Sequence, residues 1–348
     1  MSLAFLSTFW LITLFIVAGI AIWVAGVKLT IALDKMSKYF NFGEAMGGMI
    51  FLAIVTNLPE IAITGIAAWN GNLDIAVSNL LGGIAIQTVV LALIDFFGVG
   101  KKAPLSYKSS SVGLLLEGII LILILSMVII GKQVHTDLTL LHGSIIEWMI
   151  LFTWIVGIYL IYKNPHVNTR KKSLELKKEL QNEATEPTIT KKEATSALFI
   201  FILFAVITLI SGLILELSSE ALAARFEISN VLFGATFLAM VTAIPEISTG
   251  IESAKLKDYQ MAVSDIFGGN AFLPVLLLLG SLISKTPAIE SIDSTDMYLT
   301  ALGIILTGVY LIGLIIKSPK QFFRLGFDSW TVVLLYAIGI IGLLLVAN

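Results

Sequence analysis

Ten stretches of apolar residues, about 5–31, 44–70, 74–98, 110–131, 141–163, 195–217, 229–254, 258–284, 296–316 and 328–347, occupy most of this 348-residue chain. A helix rises 1.5 Å per residue and needs roughly 20 apolar residues to cross a bilayer core. Each stretch is therefore read as one membrane-spanning helix, and little chain remains for a domain outside the membrane. Only 13% of residues are charged, against about 25% in soluble domains. The reading is an all-α polytopic membrane protein. The N-terminal MSLAFLSTFWLITLF has no basic residues before its apolar run, so it reads as the first membrane helix rather than a cleaved signal. With no cysteine in the chain, disulfides, thiolate nucleophiles and cysteine-bound metals are excluded.

Ten spans put both termini on one side of the membrane. Sorting the basic residues by face leaves Lys132, Arg225 and Lys285 on one side. Lys35, Lys38, Lys101, Lys102, Lys108, the 163–192 group, Lys255, Lys257, Lys317, Lys320 and Arg324 fall on the other. Basic loops stay in the cytoplasm, so both termini are expected outside, in a bacterial or archaeal plasma (inner) membrane. The long polar stretch is expected to be a cytoplasmic linker, 164–194, with a short exposed helix before Pro187. It divides a first five-helix half (1–163) from a second (195–348).

The halves repeat. At a constant offset of 186 residues, 51–87 aligns without gaps to 237–273, matching Thr56/Thr242, Pro59/Pro245, Glu60/Glu246, Ser78/Ser264, Gly82/Gly268 and Gly83/Gly269. The repeats extend over 43–98 and 229–284. Five spans, an odd number, separate the copies, so the second enters the membrane in the opposite direction. Inverted repeats with Pro- or Gly-interrupted helices point to a transport site near the bilayer midplane.

Glu60 and Glu246 fall about 16 and 17 residues into their spans, within the hydrocarbon layer at 1.5 Å per residue. An ionised carboxylate there costs at least about 2.5–3.5 kcal/mol, and a bound cation would offset that cost. Pro59 and Pro245 lack an N–H and clash with the carbonyl four residues earlier, so the oxygens of Val55 and Val241 are expected to be released as ligands. The glycine pairs are expected to loosen the third and eighth spans. Asp265, opposite Asn79 in the first copy and about one turn before Gly268, would add a third charge. Asp95 and Glu147, near span ends, are expected to snorkel or cap, Glu117 to pair with another helix, and Glu252 to lie near the cytoplasm.

These residues resemble the two alpha-repeats of the sodium/calcium exchanger family, within the calcium:cation antiporter superfamily. There, each half carries a G-T-S-L-P-E-type segment followed by G-N-x-x-G-S-N. Here the segments read Val55-Thr56-Asn57-Leu58-Pro59-Glu60 with Ser78-Asn79-Leu80-Leu81-Gly82-Gly83, and Val241-Thr242-Ala243-Ile244-Pro245-Glu246 with Ser264-Asp265-Ile266-Phe267-Gly268-Gly269-Asn270. The resemblance covers nearly the whole chain and implies that Glu60 and Glu246 are paired cation-coordinating carboxylates, with Thr56 and Thr242 supplying oxygens beside them. The chain departs from the family in three respects. Gly83 and Gly269 stand where serines are usual. Gln87 and Leu273 stand where Asn or Asp is usual. The Ser after Thr is Asn57 in one copy and Ala243 in the other.

Two facing carboxylates are neutralised equally by one divalent cation, two monovalent cations or two protons, which is the logic of exchange. Oxygen ligands suit Ca²⁺. The expected function is antiport of Ca²⁺ against Na⁺ or H⁺ by alternating access. A monovalent Na⁺/H⁺ exchanger is the alternative, and a cation channel the alternative of another class. Expected partners are membrane lipid and inorganic cations, with no nucleic acid and no cofactor beyond the transported ions. His135, His142 and His166 all fall in or beside loops, and no serine has a candidate base beside it within a span, so an enzyme is not expected.

Overall fold

The computed structural model describes residues 3, 5–40, 47–71, 73–134, 138–163, 189–226 and 239–346. The 164–188 part of the expected linker, with its predicted short helix, and residues 227–238 at the start of the seventh apolar stretch lie outside these. In the first half, α1 (Thr8–Phe40) is followed by a π-helical segment (Gly47–Leu52) that runs into α2 (Ala53–Thr56), then α3 (Leu58–Trp69) and α4 (Leu73–Ile94). A π-helical turn (Asp95–Val99) extends α4, and α5 (Leu105–Ser109), α6 (Val112–Gln133) and α7 (Ile145–Lys163) complete the half. The second half runs α8 (Lys191–Arg225), α9 (Ala239–Thr242), α10 (Ile244–Lys255), α11 (Tyr259–Phe272), α12 (Val275–Ser284), α13 (Ser294–Ile316) and α14 (Phe327–Val346).

Among the described residues, seven helices are long and apolar enough to cross a membrane. The count is eight if the Ile50–Thr56 and Leu58–Trp69 pair, bent by 51°, forms one span. Apolar side chains such as Phe9, Ile16, Phe152, Phe199, Ile315 and Ile341 are exposed on the outer helix faces, as lipid contact requires. The helix α8 begins four residues before the start read from the sequence. Thr190 and Glu193 close a reciprocal capping box there, which satisfies N–H groups at the helix start. The two longest helices, α1 and α8, pack along each other, α1 also packs on α10, and α8 on α3.

The halves share a second motif that the apolar pattern conceals. A two-stranded hairpin, β1 (Thr139–Leu140) with β2 (Gly143–Ser144), leads into α7, and another, β3 (Gln321–Phe322) with β4 (Leu325–Gly326), leads into α14. Both turn residues have positive φ in each, Leu141 and His142 in one and Phe323 and Arg324 in the other, the geometry that matches strand twist in tight hairpins. An indole N–H then closes each hairpin, Trp148 onto the Leu140 carbonyl at 2.9 Å and Trp330 onto the Phe322 carbonyl at 2.8 Å.

Asp95 and Glu147 are fully buried beneath these hairpins and do not snorkel. Asp95 accepts from the backbone N–H groups of Leu105 and Gly326 and from the Ser329 hydroxyl, each at 2.8 Å. Glu147 accepts from Ser144 N–H at 3.0 Å and Ile289 N–H at 2.9 Å and interacts with the Ser281 hydroxyl. Each clamp pairs an acid with a serine, and the two residue types change places between halves. Glu147→Ala strands two buried N–H donors, each worth about 1–3 kcal/mol, so its melting temperature in detergent should fall by several degrees. Glu147→Gln keeps an acceptor and should lose less. A wild-type melt for Glu147→Ala would show that the clamp does not hold this end of the fold.

Candidate functional site

The two Thr-x-x-Pro-Glu segments break their helices at matched points. In the first, α2 stops at Thr56, Asn57 leaves helical geometry, and α3 restarts with Pro59 and Glu60 in its first turn. In the second, α9 stops at Thr242, Ala243 is the break, and α10 restarts with Pro245 and Glu246 in its first turn. A proline is tolerated in the first turn because its missing N–H has no partner to lose, so the chain breaks before the proline. Each glutamate thus sits at a helix N-terminus, whose exposed N–H dipoles favour negative charge without neutralising it.

Glu60, Glu246 and Asp265 are all buried. Glu246 lies close enough to interact electrostatically with both other acids, and the Thr56 hydroxyl is within reach of it. Asp265 is held by hydroxyls from both halves, Thr249 at 2.5 Å and Thr56 at 3.4 Å. Among the described residues, the ion pairs Lys38–Asp34 and Lys255–Glu252 involve none of these three acids. No group of three or more acidic or histidine side chains there forms a metal site by itself, so any cation also needs neutral oxygens.

Those oxygens are present. Asn57 donates its amide to the Ala53 carbonyl at 2.6 Å, and Asn270 donates to the Ile84 carbonyl and Thr88 hydroxyl at 3.4 and 3.3 Å. Asn57 Oδ1, Asn270 Oδ1, Gln87 Oε1, Glu60 Oε2 and both carboxylate oxygens of Glu246 are buried with no hydrogen-bond partner. A Cβ at Gly269 would lie 2.8 Å from Asn57 Nδ2 and 4.0 Å from Gln87 Oε1, which brings α11, the first break and α4 to one point. Buried acceptors are ordinarily satisfied, so unsatisfied oxygens gathered beside two acids form a cation-attracting surface. Thr64, one turn beyond Glu60, and Ser253, two turns beyond Glu246, are also buried and unpartnered. They extend the polar face along α3 and α10.

Several expectations change. The glycine pairs loosen nothing, because α4 runs unbroken through Gly82 and Gly83 and α11 through Gly268 and Gly269. A Cβ at Gly82 or Gly83 would find ordinary space, whereas one at Gly269 would meet Asn57 closely. The Val55 carbonyl is not simply released, since the Asn57 N–H turns back toward it and Ala53. Val55 and Thr56 are buried, Thr242 is half-buried, and Asn79 is half-buried with its amide nitrogen unpartnered. Val241 lies in no described helix beyond the backbone of α9, and its side chain is outside the described set. Asn270 and Thr249 were missed as candidates. The signals for Asn270 were its place as the last Asn of the G-N-x-x-G-S-N-type segment and an amide in an apolar helix opposite Ile84, and Thr249 has no polar counterpart at the repeat offset.

The sequence profile described as "Sodium/calcium exchanger protein" matches residues 10–163 and 196–347. The chain belongs to the sodium/calcium exchanger family. An Alkalimonas amylolytica protein named as an antiporter, CaxA, is 25% identical to this exchanger over 306 residues, covering 86% of this chain and 90% of the relative. Inner membrane protein YrbG of Escherichia coli (strain K12) is 22% identical over 308 residues, covering 82% and 90%. The fold of this exchanger matches the sodium-calcium exchanger NCX_Mj, soaked with 10 mM Na⁺ and zero Ca²⁺, with a TM-score of 0.66 over 97% of this chain and 98% of that one, at 17% identity. The two blocks matched by the profile fall on either side of the polar stretch. The exchanger is thus a membrane-embedded cation antiporter by family.

Proposed function

We propose that this exchanger carries Ca²⁺ against Na⁺ or H⁺ by alternating access, with Glu60 and Glu246 as the ion-carrying carboxylates. The observation that carries this reading is the set of unpartnered buried oxygens on Asn57, Glu60, Gln87, Glu246 and Asn270. Ca²⁺ takes 6–8 oxygen ligands in flexible geometry, while thiophilic metals favour thiolate ligands and this chain has no cysteine. Thr56, Thr242, Asp265, Asn79 and the backbone oxygens of Val55 and Val241 complete the proposed ligand set. An emptied site leaves facing carboxylates to repel each other in a low dielectric, so the carrier crosses between its two open states when loaded. A Na⁺/H⁺ exchanger is the second reading, favoured by the glycines and Leu273 that replace oxygen ligands.

The architecture we infer is two inverted five-helix halves, 1–163 and 195–348, joined by a cytoplasmic linker, with both termini outside a plasma membrane. It is supported by the matched helix breaks, the matched hairpins, and α14 as a further apolar helix. The described helices reach ten spans if each broken pair and α14 cross once.

Purified protein in vesicles should take up Ca²⁺ when Na⁺ or protons are allowed to run the other way, and should take up almost none without a counter-gradient. Unlabelled Ca²⁺ should compete, and K⁺ should not. Na⁺/H⁺ antiport indifferent to Ca²⁺ would select the monovalent reading. Currents independent of any counter-ion would select a channel and sink both.

A further inference from the structure

Among the described buried acids outside the ion site, Glu117 is the one with both carboxylate oxygens unpartnered. Glu117 is the sixth residue of α6, about 8 Å along from the helix start. It is 1% exposed, and neither of its oxygens has a well-formed hydrogen bond. The side chain that interacts with it is Ser264, the sixth residue of α11 and the neighbour of Asp265. Glu246 lies nine residues before the end of α10, about 14 Å in at 1.5 Å per residue. A short turn joins that end to α11, so Glu117 lies level with Asp265 and nearer than Glu246 to the face where α6 and α11 begin.

The other half carries a mirror contact. Ser78, the repeat counterpart of Ser264, interacts with Asp296 in the first turn of α13. Asp296 differs in one respect: it closes a capping box with Asp293, accepting the Asp293 N–H at 3.1 Å. Glu117 has no such donor. One acid–serine pair is therefore equipped to hold a charge and the other is not.

The titratable groups on the elements packed against α6 do not supply a counter-charge. On α11 these are Asp265 and Tyr259, and on α13 Asp296, Tyr298 and Tyr310. Glu147, Tyr159, Tyr162 and Lys163 lie on α7, and Glu290 on the 3-10 turn Ala288–Ser291. Lys132 and Gln133, at the far end of α6, contact Glu290 and Met297, which places Glu290 and Asp296 away from Glu117. Lys163 sits over the Tyr159 ring, and Lys108 over Tyr259 while donating to the Val99 carbonyl. A buried carboxylate with one hydroxyl neighbour and no cation is stable when it holds a proton.

We propose that Glu117 is a proton-binding site, distinct from the ion site, that sets the pH range of exchange from the face where α6 begins. The proposal rests on the antiport reading. With its proton, Glu117 lets α11 pack against α6. Without it, an uncompensated charge stands beside the helix that carries Asp265, and exchange stops.

The test is cation exchange in oriented vesicles, with pH varied on each face separately. In wild type, rising pH on the α6-start face should lower exchange about tenfold per pH unit above a midpoint, the slope of one proton. Glu117→Gln, a permanently neutral mimic, should exchange normally at neutral pH and lose that decline. Ser264→Ala removes a donor to the ionised carboxylate, so the decline should move to higher pH. An unchanged profile in Glu117→Gln overturns the proposal. An infrared pH titration of wild-type protein reads the site without transport. A protonated-carboxyl band that titrates and is absent from Glu117→Gln supports it, and no such difference overturns it. If wild-type vesicles exchange no cation at any pH, the antiport reading fails while the infrared result still decides Glu117.

Discussion

Glu246→Gln should abolish cation exchange, with flux at least about 100-fold below wild type, and Glu60→Gln should come close to it. Glu246 interacts with both Glu60 and Asp265 and has both carboxylate oxygens unpartnered, whereas Glu60 has one. Contacts to a charged group contribute about 1.5–3 kcal/mol each, and 1.4 kcal/mol is tenfold. Losing one charge from a two-carboxylate site removes several such contacts at once. Asp265→Asn should be milder, because Thr249 and Thr56 already occupy its two oxygens, and an amide keeps one of them as an acceptor while its NH₂ can donate to the other hydroxyl. Isotope flux in vesicles of matched protein content gives the order. Undiminished flux in both glutamate variants would remove these acids from the transport path. A complete loss in Asp265→Asn alone would move the centre of the site to α11.

The second large effect is steric. A Cβ on Gly26 of α1 would fall 1.8 Å from Ser248 Oγ and 2.9 Å from Ser248 Cβ. One on Gly212 of α8 would fall 2.3 Å from Pro59 Cγ. The two glycines are 186 residues apart, the offset of the repeat. Each lets a long helix of one half touch the broken helix of the other, beside the glutamate. Overpacking costs about 1–3 kcal/mol or more, so Gly26→Ala and Gly212→Ala should lower the melting temperature and suppress exchange. Adding Ser248→Gly to Gly26→Ala should restore both. Gly308, whose Cβ would meet nothing within 4 Å, is the control: helix propensity alone should make Gly308→Ala neutral or stabilising by up to about 1 kcal/mol. Wild-type melting and flux in Gly26→Ala would show that the approach is not as close as described.

Much of this was legible in the sequence, for local reasons. Apolar length marks membrane helices because the bilayer core has a fixed thickness, and a proline marks a break because it lacks an N–H. Thr56, Pro59 and Glu60 and their partners could be found by their repetition alone. The hairpins escaped notice because their turns use Leu141, His142, Phe323 and Arg324 instead of the glycine or asparagine that usually announces positive φ. Asp95 and Glu147 were expected to snorkel or cap; Glu147 does cap, exchanging hydrogen bonds with Ser144 at the start of α7, and neither snorkels. Their donors, from Leu105, Gly326 and Ser329 and from Ser144 and Ile289, include loops more than a hundred residues away, which no local pattern encodes.

The amino-acid sequence by itself determined the class of protein, the family, the repeat and the two glutamates, because hydropathy and backbone chemistry act over one helix turn or one span. The tertiary structure alone decided which neutral oxygens join those glutamates. Asn270 reaches Ile84, its own counterpart in the other copy, and Asp265 of the second half is held by Thr56 of the first. Such contacts exist only where the two halves interlock, and packing between segments about 200 residues apart is set by shape and charge in space, not by spacing along the chain.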